Sequence, residues 1–200
     1  EARRRISIAN EAFETHRRQL YQNPKIAVKR RQELFSTLIL SKLGYGLESW
    51  TFTNQALVDY IHGAILRLYK RFLKIPADRH VDDFEVLAEA GLPSPKTMFR
   101  RARLRYLLTL MNCEHTTQWG LLTQDETWRA MIMDDLDWLW QYVRNTSTLC
   151  DPRQHPDEWL YIMRYHKKYW KTLVHRATTL DIRKNSDHWQ LRVMHATVFD

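Results

Sequence analysis

Apolar residues recur three and four positions apart along almost the whole sequence, which is the spacing of helices with one buried face. No stretch alternates apolar and polar residues convincingly, as a half-buried strand would. The pattern predicts an all-α fold, a multi-helix array of about seven to eight helices of ordinary length. The apolar stripes are Ile6, Ala9, Phe13, His16 and Leu20; Val28, Phe35 and Ile39; Leu57, Ile61, Ala64, Leu68 and Phe72; Phe99, Ala102, Tyr106 and Leu110; Trp128, Ile132, Leu136, Leu139 and Val143; and Trp159, Met163, His166, Trp170, Val174 and Ala177.

Glycine and proline mark where the helices of the first half are expected to stop and start. One helix is expected to end near Gly44–Gly46, and another before Pro76. A short helix should stop at Gly91, because glycine suits the left-handed turn that often follows a helix. Ser94 and Pro95 then have the residue types of an N-cap and a first helical position.

The second half has its own boundary signals. Thr123 and Glu126 have the spacing of a capping box at the start of a helix. Pro156 opens the next helix, whose apolar stripe runs to Ala177. A last helix is expected over about 186–199.

The formal net charge of +8 is concentrated in the first half of the chain. Residues 1–110 contain 20 Lys and Arg against 11 Asp and Glu (+9), whereas residues 111–200 contain 11 against 12 (−1). A basic part joined to a near-neutral part suggests one segment that grips a polyanion and another that packs. We therefore expect a basic helical domain over 1–110 and a Trp-rich helical extension over 111–200, with the tryptophans of the stripes in the core.

The basic residues cluster on helix faces opposite the apolar stripes. Arg67, Lys70 and Lys74 share one side of a predicted helix, and Arg101 and Arg105 oppose Phe99 on another. Single clusters of this kind are common on solvated helices. Taken together, they favour contacts with the phosphates of RNA or DNA, which position a nucleic acid without reading its sequence. The candidate nucleic-acid-binding residues are Arg3, Arg4, Arg5, Lys29, Arg30, Arg67, Lys70, Lys74, Arg100, Arg101 and Arg105.

A late helix carries a further basic face. It lies opposite the stripe from Trp159 to Trp170, and the same two interpretations apply to it. Its members are Arg164, Lys168, Lys171 and His175.

The string MIMDDLDW contains paired aspartates of the kind that bind catalytic metals in reverse-transcriptase-like polymerases. That polymerase pair normally lies on a tight hairpin between strands, whereas this segment has helical periodicity. On a helix, Asp135 falls beside Trp128 on the buried side and Asp134 points away, so the two carboxylates do not converge. We expect Asp134 and Asp137 to be solvated, and Asp135 to be half-buried with a partner. No catalytic residue is therefore expected in this chain.

Metal and membrane sites find little support in the sequence. Cys113 with His115, and Cys150 with His155, do not have the spacing of a zinc site, and two thiols indicate a reducing compartment. His166 lies in an apolar stripe and is expected to be a hydrogen-bonded core histidine. No apolar run approaches the ~20 residues of a membrane span.

Two strings, RRRISIANEAF and LSKLGYGLESW, give the chain a family resemblance. In order and in residue type, residues 1–110 resemble the reverse transcriptase of LINE-type (non-LTR) retrotransposons just downstream of the palm. Residues 111–200 look like the Trp-rich helical extension that some such elements carry. The matching residues are Arg5, Ile6, Ala9, Ala12 and Phe13; Leu43, Tyr45, Gly46, Glu48 and Trp50; Leu66, Arg67, Leu73 and Ile75; Val86, Leu87, Gly91, Leu92, Pro93 and Ser94; and Arg103, Leu104 and Arg105.

The resemblance implies that the chain is a thumb-like helical bundle with a post-thumb linker, whose helices grip template and primer. The palm with its metal-binding aspartates would precede Glu1, so Mg²⁺ is expected only there and no cofactor is expected in this segment. The chain opens on Glu1 rather than Met, and we expect it to be a piece of a longer protein. Its partners would be RNA or DNA and the upstream palm, in the nucleus or cytoplasm.

Two other functions are open at this point. The first is a helical protein-interaction scaffold whose basic faces are only solvated. The second is a metal-dependent nucleotidyl transferase that uses Asp134 and Asp135. Salt-dependent binding to an RNA–DNA hybrid separates nucleic-acid binding from the scaffold, and a magnesium-dependent activity would be required for the transferase.

Overall fold

The computed structural model describes residues 1–46, 55–112, 120 and 124–198, with side chains described as far as residue 190. Within these residues the fold is all-α, with eight helices and no strand, which confirms the predicted multi-helix array. The helices are α1 (Ala2–His16), α2 (Val28–Phe35), α3 (Gln55–Leu73), α4 (Asp83–Ala90), α5 (Pro95–Leu110), α6 (Glu126–Val143), α7 (Pro156–Tyr165) and α8 (Lys167–Val198).

The described residues form two compact units. The first unit contains residues 1–45, 55–96 and 182–198, and the second contains residues 97–112 and 124–181. The expected division between 1–110 and 111–200 placed α5 in the first part of the chain. In the structure, α5 falls almost wholly in the second unit. Four candidate or bordering arginines of α5 therefore belong to the Trp-rich unit: Arg100, Arg101, Arg103 and Arg105.

An aromatic cluster forms the centre of the first unit. The rings of Phe13 and Tyr21 stack with centroids 5.3 Å apart, and those of Phe35 and Phe72 lie 4.9 Å apart. Tyr69 meets Phe35 edge-on at 5.8 Å, and its hydroxyl donates a hydrogen bond to a backbone carbonyl at 2.8 Å. All five side chains are buried, so α1, α2 and α3 share one core.

A π-helical turn, Arg17–Tyr21, continues α1 and changes which residue reaches this cluster. The sequence stripe named Leu20, but Leu20 is only half-buried and Tyr21 is fully buried. A π-turn holds an extra residue, so the buried face after it shifts one position along the sequence. A second π-helical segment, Ser36–Leu40, leads from α2 into a last α-helical turn, Ser41–Gly44, close to the predicted stop.

The first residues of two predicted stripes are solvent-exposed. Val28, with 54% of its surface exposed, opens α2, and Leu57 lies in the first turn of α3. Both were expected to be buried from periodicity alone. Each lies in the first turn of its helix, and the buried residues of that helix begin only later, at Phe35 and Ile61.

The short helix α4 has the ends that its residue types predict. The Asp82 carboxylate caps its start by accepting a hydrogen bond from the Phe84 amide at 2.7 Å. Gly91 stops it in the left-handed conformation, with φ 60°. Gln32 on α2 donates to the carbonyl of Ala90 at 2.7 Å, which satisfies one of the carbonyls left free at the helix end.

Tryptophans form the core of the second unit, as the stripes predicted. Trp159 and Trp170 meet at right angles with their centroids 6.1 Å apart, and both are buried. The indole N–H of Trp170 donates to the carbonyl of Leu104 at 3.1 Å, and that of Trp159 to Cys150 at 3.0 Å. These rings are therefore occupied by packing, and their N–H groups are satisfied inside the unit.

The helix predicted to run on from Pro156 is interrupted at His166. This residue has φ −124° and ψ 50°, which ends α7, and it is exposed rather than in the core. The expectation of a core histidine was therefore wrong. The helix that follows, α8, runs without a break from Lys167 to Val198, so the separate last helix expected over 186–199 is its continuation.

The boundaries and faces of α5 and α6 also differ in detail from the sequence pattern. Asp125 caps α6 by accepting a hydrogen bond from the Trp128 amide at 3.1 Å, whereas Thr123 of the predicted capping box lies outside the described residues. On α5, Ala102 and Tyr106 are only half-buried. Phe99 and Leu110 of the predicted stripe are buried, and Leu104, Leu107 and Leu108 complete the buried face in place of Ala102 and Tyr106.

Candidate nucleic-acid interface

The start of α1 exposes two of the three consecutive arginines. Arg3 and Arg4 point to solvent, and neither has an ion-pair partner among the described residues. Arg5 is occupied, because its Nε donates to Glu1 at 2.8 Å and its guanidinium lies over the Tyr45 ring at 4.4 Å. The first two are therefore available to an external anion, and the third stabilises the helix start.

The basic run on α2 has the same mixed character. Lys29 is exposed and makes no ion pair with any described residue. Arg30 donates to Glu33 at 2.9 Å, an exposed pair of small energetic value. Arg31 turns inward and donates to the carbonyl of Tyr21 at 3.2 Å.

The basic side of α3 consists of Arg67 and Lys70, followed by Lys74 beyond the helix end. Arg67 is exposed with no ion-pair partner among the described residues, while Lys70 Nζ lies 3.4 Å from the Val81 carbonyl. Lys74 was expected on the same helical face, but α3 ends at Leu73. Lys74 has a φ of 64° and lies in the turn after the helix, so its side chain does not continue the face.

Backbone hydrogen bonds fix this turn. The Lys74 amide donates to Arg71 at 3.2 Å, and the Ile75 amide donates to Lys70 at 2.9 Å. This pair of bonds is the Schellman arrangement that satisfies the last carbonyls of a helix. It places an exposed lysine at a position where glycine is the usual residue.

The paired aspartates lie on α6 and have different environments. Asp135 has only 1% of its side chain exposed, and it accepts two hydrogen bonds from Arg103 at 2.6 and 2.8 Å. Asp134 has 73% of its side chain exposed, with Arg153 at 3.6 Å. Asp137 was expected to be solvated, but it is half-buried and accepts a hydrogen bond from Arg153 Nε at 2.7 Å.

Arg100 is largely held inside the second unit. Its Nε lies 3.7 Å from Asp135, and its guanidinium lies over the Trp138 ring at 5.5 Å. Burial lowers the pKa of Arg100, and the neighbouring Asp135 opposes that shift. Burial raises the pKa of the Asp135 carboxyl, against the opposing effect of Arg103. Arg100 therefore helps to neutralise a buried carboxylate, which limits its access to an external phosphate.

Arg101 and Arg105 are one turn apart on α5 and lack that compensation. No described carboxylate forms an ion pair with either of them. Burial and the nearby Arg105 charge both lower the pKa of Arg101. This face of α5 therefore carries uncompensated positive charge.

A groove in the second unit brings Arg105 together with cations from α8. It has a volume of about 570 Å³. Helical spacing indicated Arg105 and Lys171 as members of basic faces but not Lys167, because residues 156–177 were expected to form one continuous helix. The residues lining the groove are Arg105, Leu108, Thr109, Asn112, Lys167 and Lys171.

The two Cys/His pairs of the sequence, Cys113 with His115 and Cys150 with His155, were considered as metal ligands. Among the residues that the structure describes, no group of three or more His, Cys, Asp or Glu is arranged to hold a metal ion. Cys150 is exposed and reduced. Cys113 and His115 lie outside the described residues, as do Glu48 and Trp50 of the family-like string.

Comparisons with protein-family models, with curated proteins and with solved structures found no match to this chain. In the described part of the chain, no helix combines the length and the apolar character that crossing a membrane requires.

Proposed function

We propose that this chain binds nucleic acid through phosphate contacts, as the template- and primer-gripping segment of a reverse transcriptase of the non-LTR retrotransposon kind. The observation that carries the proposal is a set of exposed cations in the first unit that have no ion-pair partner among the described residues. Such cations displace the counterions condensed on the phosphates of a nucleic acid, which is the main source of sequence-independent affinity. Among the candidate residues, this set is Arg3, Arg4, Lys29, Arg67 and Lys74.

The distribution of ion pairs supports the same proposal. Solvated helix faces usually mix charges of both signs, as Arg30 and Glu33 do at 2.9 Å. None of these five cations makes such a pair with a described carboxylate, although residues 1–110 contain 11 acidic residues. Cations left without carboxylate partners are an arrangement that favours the binding of a polyanion.

The residues of the family resemblance have structural roles that suit a thumb-like bundle. Phe13 and Leu43 are buried in the first unit, and Gly91 supplies the left-handed turn after α4. The metal-binding aspartates would lie in a palm upstream of Glu1, and Mg²⁺ would bind there. This chain would then hold the duplex for chemistry carried out by another part of the polyprotein.

Salt dependence of binding tests the proposal. With about five phosphate contacts, the affinity for an RNA–DNA hybrid should fall with salt at a log–log slope near −4. Replacing Arg67 and Lys74 together with Gln should make that slope shallower by about 2. The affinity should fall by the same factor for unrelated sequences, because phosphate contacts do not read bases.

A charge-matched variant controls for net charge alone. Arg17 and Arg79 are each close to a carboxylate, Glu14 at 3.6 Å and Glu85 at 3.8 Å. Replacing these two arginines with Gln removes the same charge and should change the slope little. Absence of binding at low salt, or a flat salt dependence, would refute the proposal.

One surface favours the scaffold as a second candidate function. Tyr161, Tyr165 and Tyr169 are all exposed on α7 and the start of α8, and the rings of Tyr161 and Tyr165 lie 4.9 Å apart. Tyrosine is enriched at protein interfaces because it offers large contact area with a polar tip. If the hybrid does not bind, this surface is the place to look for a protein partner.

A further inference from the structure

The groove of the second unit concentrates positive charge within a concave surface. Arg105 comes from α5, and Lys167 and Lys171 come from the first turns of α8. Thr109 and Asn112 add polar side chains to the same lining, and none of the lining residues is acidic.

Sequence spacing and one buried contact explain why these cations meet. Arg105 and Thr109 are four residues apart on one side of α5, and Asn112 follows in the turn after its end. Lys167 and Lys171 are four residues apart on one side of α8. The two helices are joined by the hydrogen bond from Trp170 to the Leu104 carbonyl at 3.1 Å, which fixes the start of α8 beside α5.

The charge in the groove is not neutralised by the described residues. No described carboxylate forms an ion pair with Arg105, Lys167 or Lys171. Like charges held close together repel, so this arrangement is unfavourable until an anion binds. The break at His166 also starts α8 here, and a helix start carries partial positive charge.

We infer that this groove binds the phosphodiester backbone of a single nucleic-acid strand, an inference that rests on the proposed nucleic-acid binding. Proteins that bind single strands without sequence preference hold the phosphate backbone in a positively charged groove. The volume of about 570 Å³ is in the range of sites that enclose a small organic ligand, which suits a short stretch of one strand. The sequence suggested that the second unit only packs. With this groove, it would also take part in binding.

Binding of a labelled single-stranded 12-mer tests the groove, with a variant that replaces Arg105, Lys167 and Lys171 with Gln. At about 0.1 M salt each single-strand phosphate contact contributes roughly fivefold, so the triple variant should bind about 100-fold more weakly. Its salt slope should be shallower by about 2.

A second triple variant serves as the matched control. Arg129, Arg144 and Arg176 are exposed residues of the same unit that do not line the groove. Replacing them with Gln removes the same net charge and should weaken binding less than about fivefold. A third variant, with Arg105→Lys, Lys167→Arg and Lys171→Arg, keeps the charges and should keep the affinity. Thermal unfolding should show that all three variants are folded.

The outcomes separate this inference from the proposed function. Equal losses in the groove and control variants, with strong wild-type binding, would overturn the groove and leave nucleic-acid binding in place. No wild-type binding to any strand or hybrid would overturn both. Displacement of the 12-mer by millimolar inorganic phosphate would overturn the strand as the ligand and leave a site for free phosphate.

Discussion

Asp134 and Asp135 are neighbours in sequence but differ in their contribution to stability. Asp135→Asn should lower the free energy of unfolding by about 3 kcal/mol, because it leaves the buried Arg103 without a counter-charge. Asp134→Asn should change it by less than about 0.5 kcal/mol, since its ion pair with Arg153 is exposed. Urea denaturation measures both.

A double replacement checks the cause of the Asp135 effect. Arg103→Met with Asp135→Leu removes both charges, so it should be less destabilising than Asp135→Asn. Tight Mg²⁺ binding that disappears with either aspartate variant would instead revive the metal-site hypothesis.

The Tyr21 hydroxyl is a second residue-scale test. It is buried and has no hydrogen-bond partner among the described residues, whereas the Tyr69 hydroxyl donates to Pro93 at 2.8 Å. Tyr21→Phe should therefore stabilise the protein by up to about 1 kcal/mol, and Tyr69→Phe should destabilise it by about as much. Destabilisation by Tyr21→Phe in chemical denaturation would mean that the hydroxyl has a partner.

The buried Tyr21 hydroxyl should also make the stability of the protein depend on pH in the alkaline range. Burial raises the pKa of Tyr21 to about 12, from 10.0. The unfolded chain then loses its proton first, so stability is fully present below pH 10 and falls as the pH rises toward 12. Tyr21→Phe should make this fall smaller when unfolding is measured across that range.

At the scale of elements, the end of α3 offers a test of backbone strain. Lys74 has a φ of 64°, a conformation that glycine adopts without strain. Lys74→Gly should raise the free energy of unfolding by about 0.5–1 kcal/mol, whereas Lys74→Gln should change it little. Both variants should lose the same nucleic-acid affinity, since both lose the charge. No stability gain from glycine in thermal unfolding would mean that the turn is unstrained for lysine.

Helix existence was predictable from the sequence, but helix register and interruptions were not. The stripe from Trp128 to Val143 is buried as predicted, because every member follows one regular α-helix. The stripe of α1 is buried at Ile6, Ala9 and Phe13, but the prediction for Leu20 was wrong, because periodicity assumes 3.6 residues per turn and a π-turn breaks that rule. The prediction for His166 was wrong because no proline or glycine marks the helix break there, so local residue types gave no signal.

At the scale of the whole molecule, charge per sequence segment was a poor guide to charge per folded unit. The basic excess lies before residue 110, yet α5 belongs almost wholly to the second unit. Arg105 could be named from its position opposite Phe99. That Arg105 and Lys167 line one groove could not be predicted, because this depends on which helices pack together and where α8 begins.

The core of the second unit gives the last prediction. Trp170→Ala should destabilise this unit by roughly 3–5 kcal/mol, since it empties a fully buried site and removes the hydrogen bond to Leu104. Calorimetry measures the loss, and the molecules still folded should keep their affinity for an RNA–DNA hybrid, whose proposed contacts lie in the first unit. Weaker binding with unchanged stability would show that Trp170 stacks on bases instead.

The π-helical turn after α1 has a consequence for insertions and deletions. Losing one residue from a regular helix turns everything beyond it by about 100°, which would move a core side chain out of the core. Here the extra residue already lies within the turn Arg17–Tyr21. Deleting Leu20 would leave Tyr21 seven positions from Phe13, which is nearly two full helical turns. The deletion would relax the turn to an ordinary helix and keep the two stacked rings on one side. The protein should therefore tolerate the loss of one residue at this position.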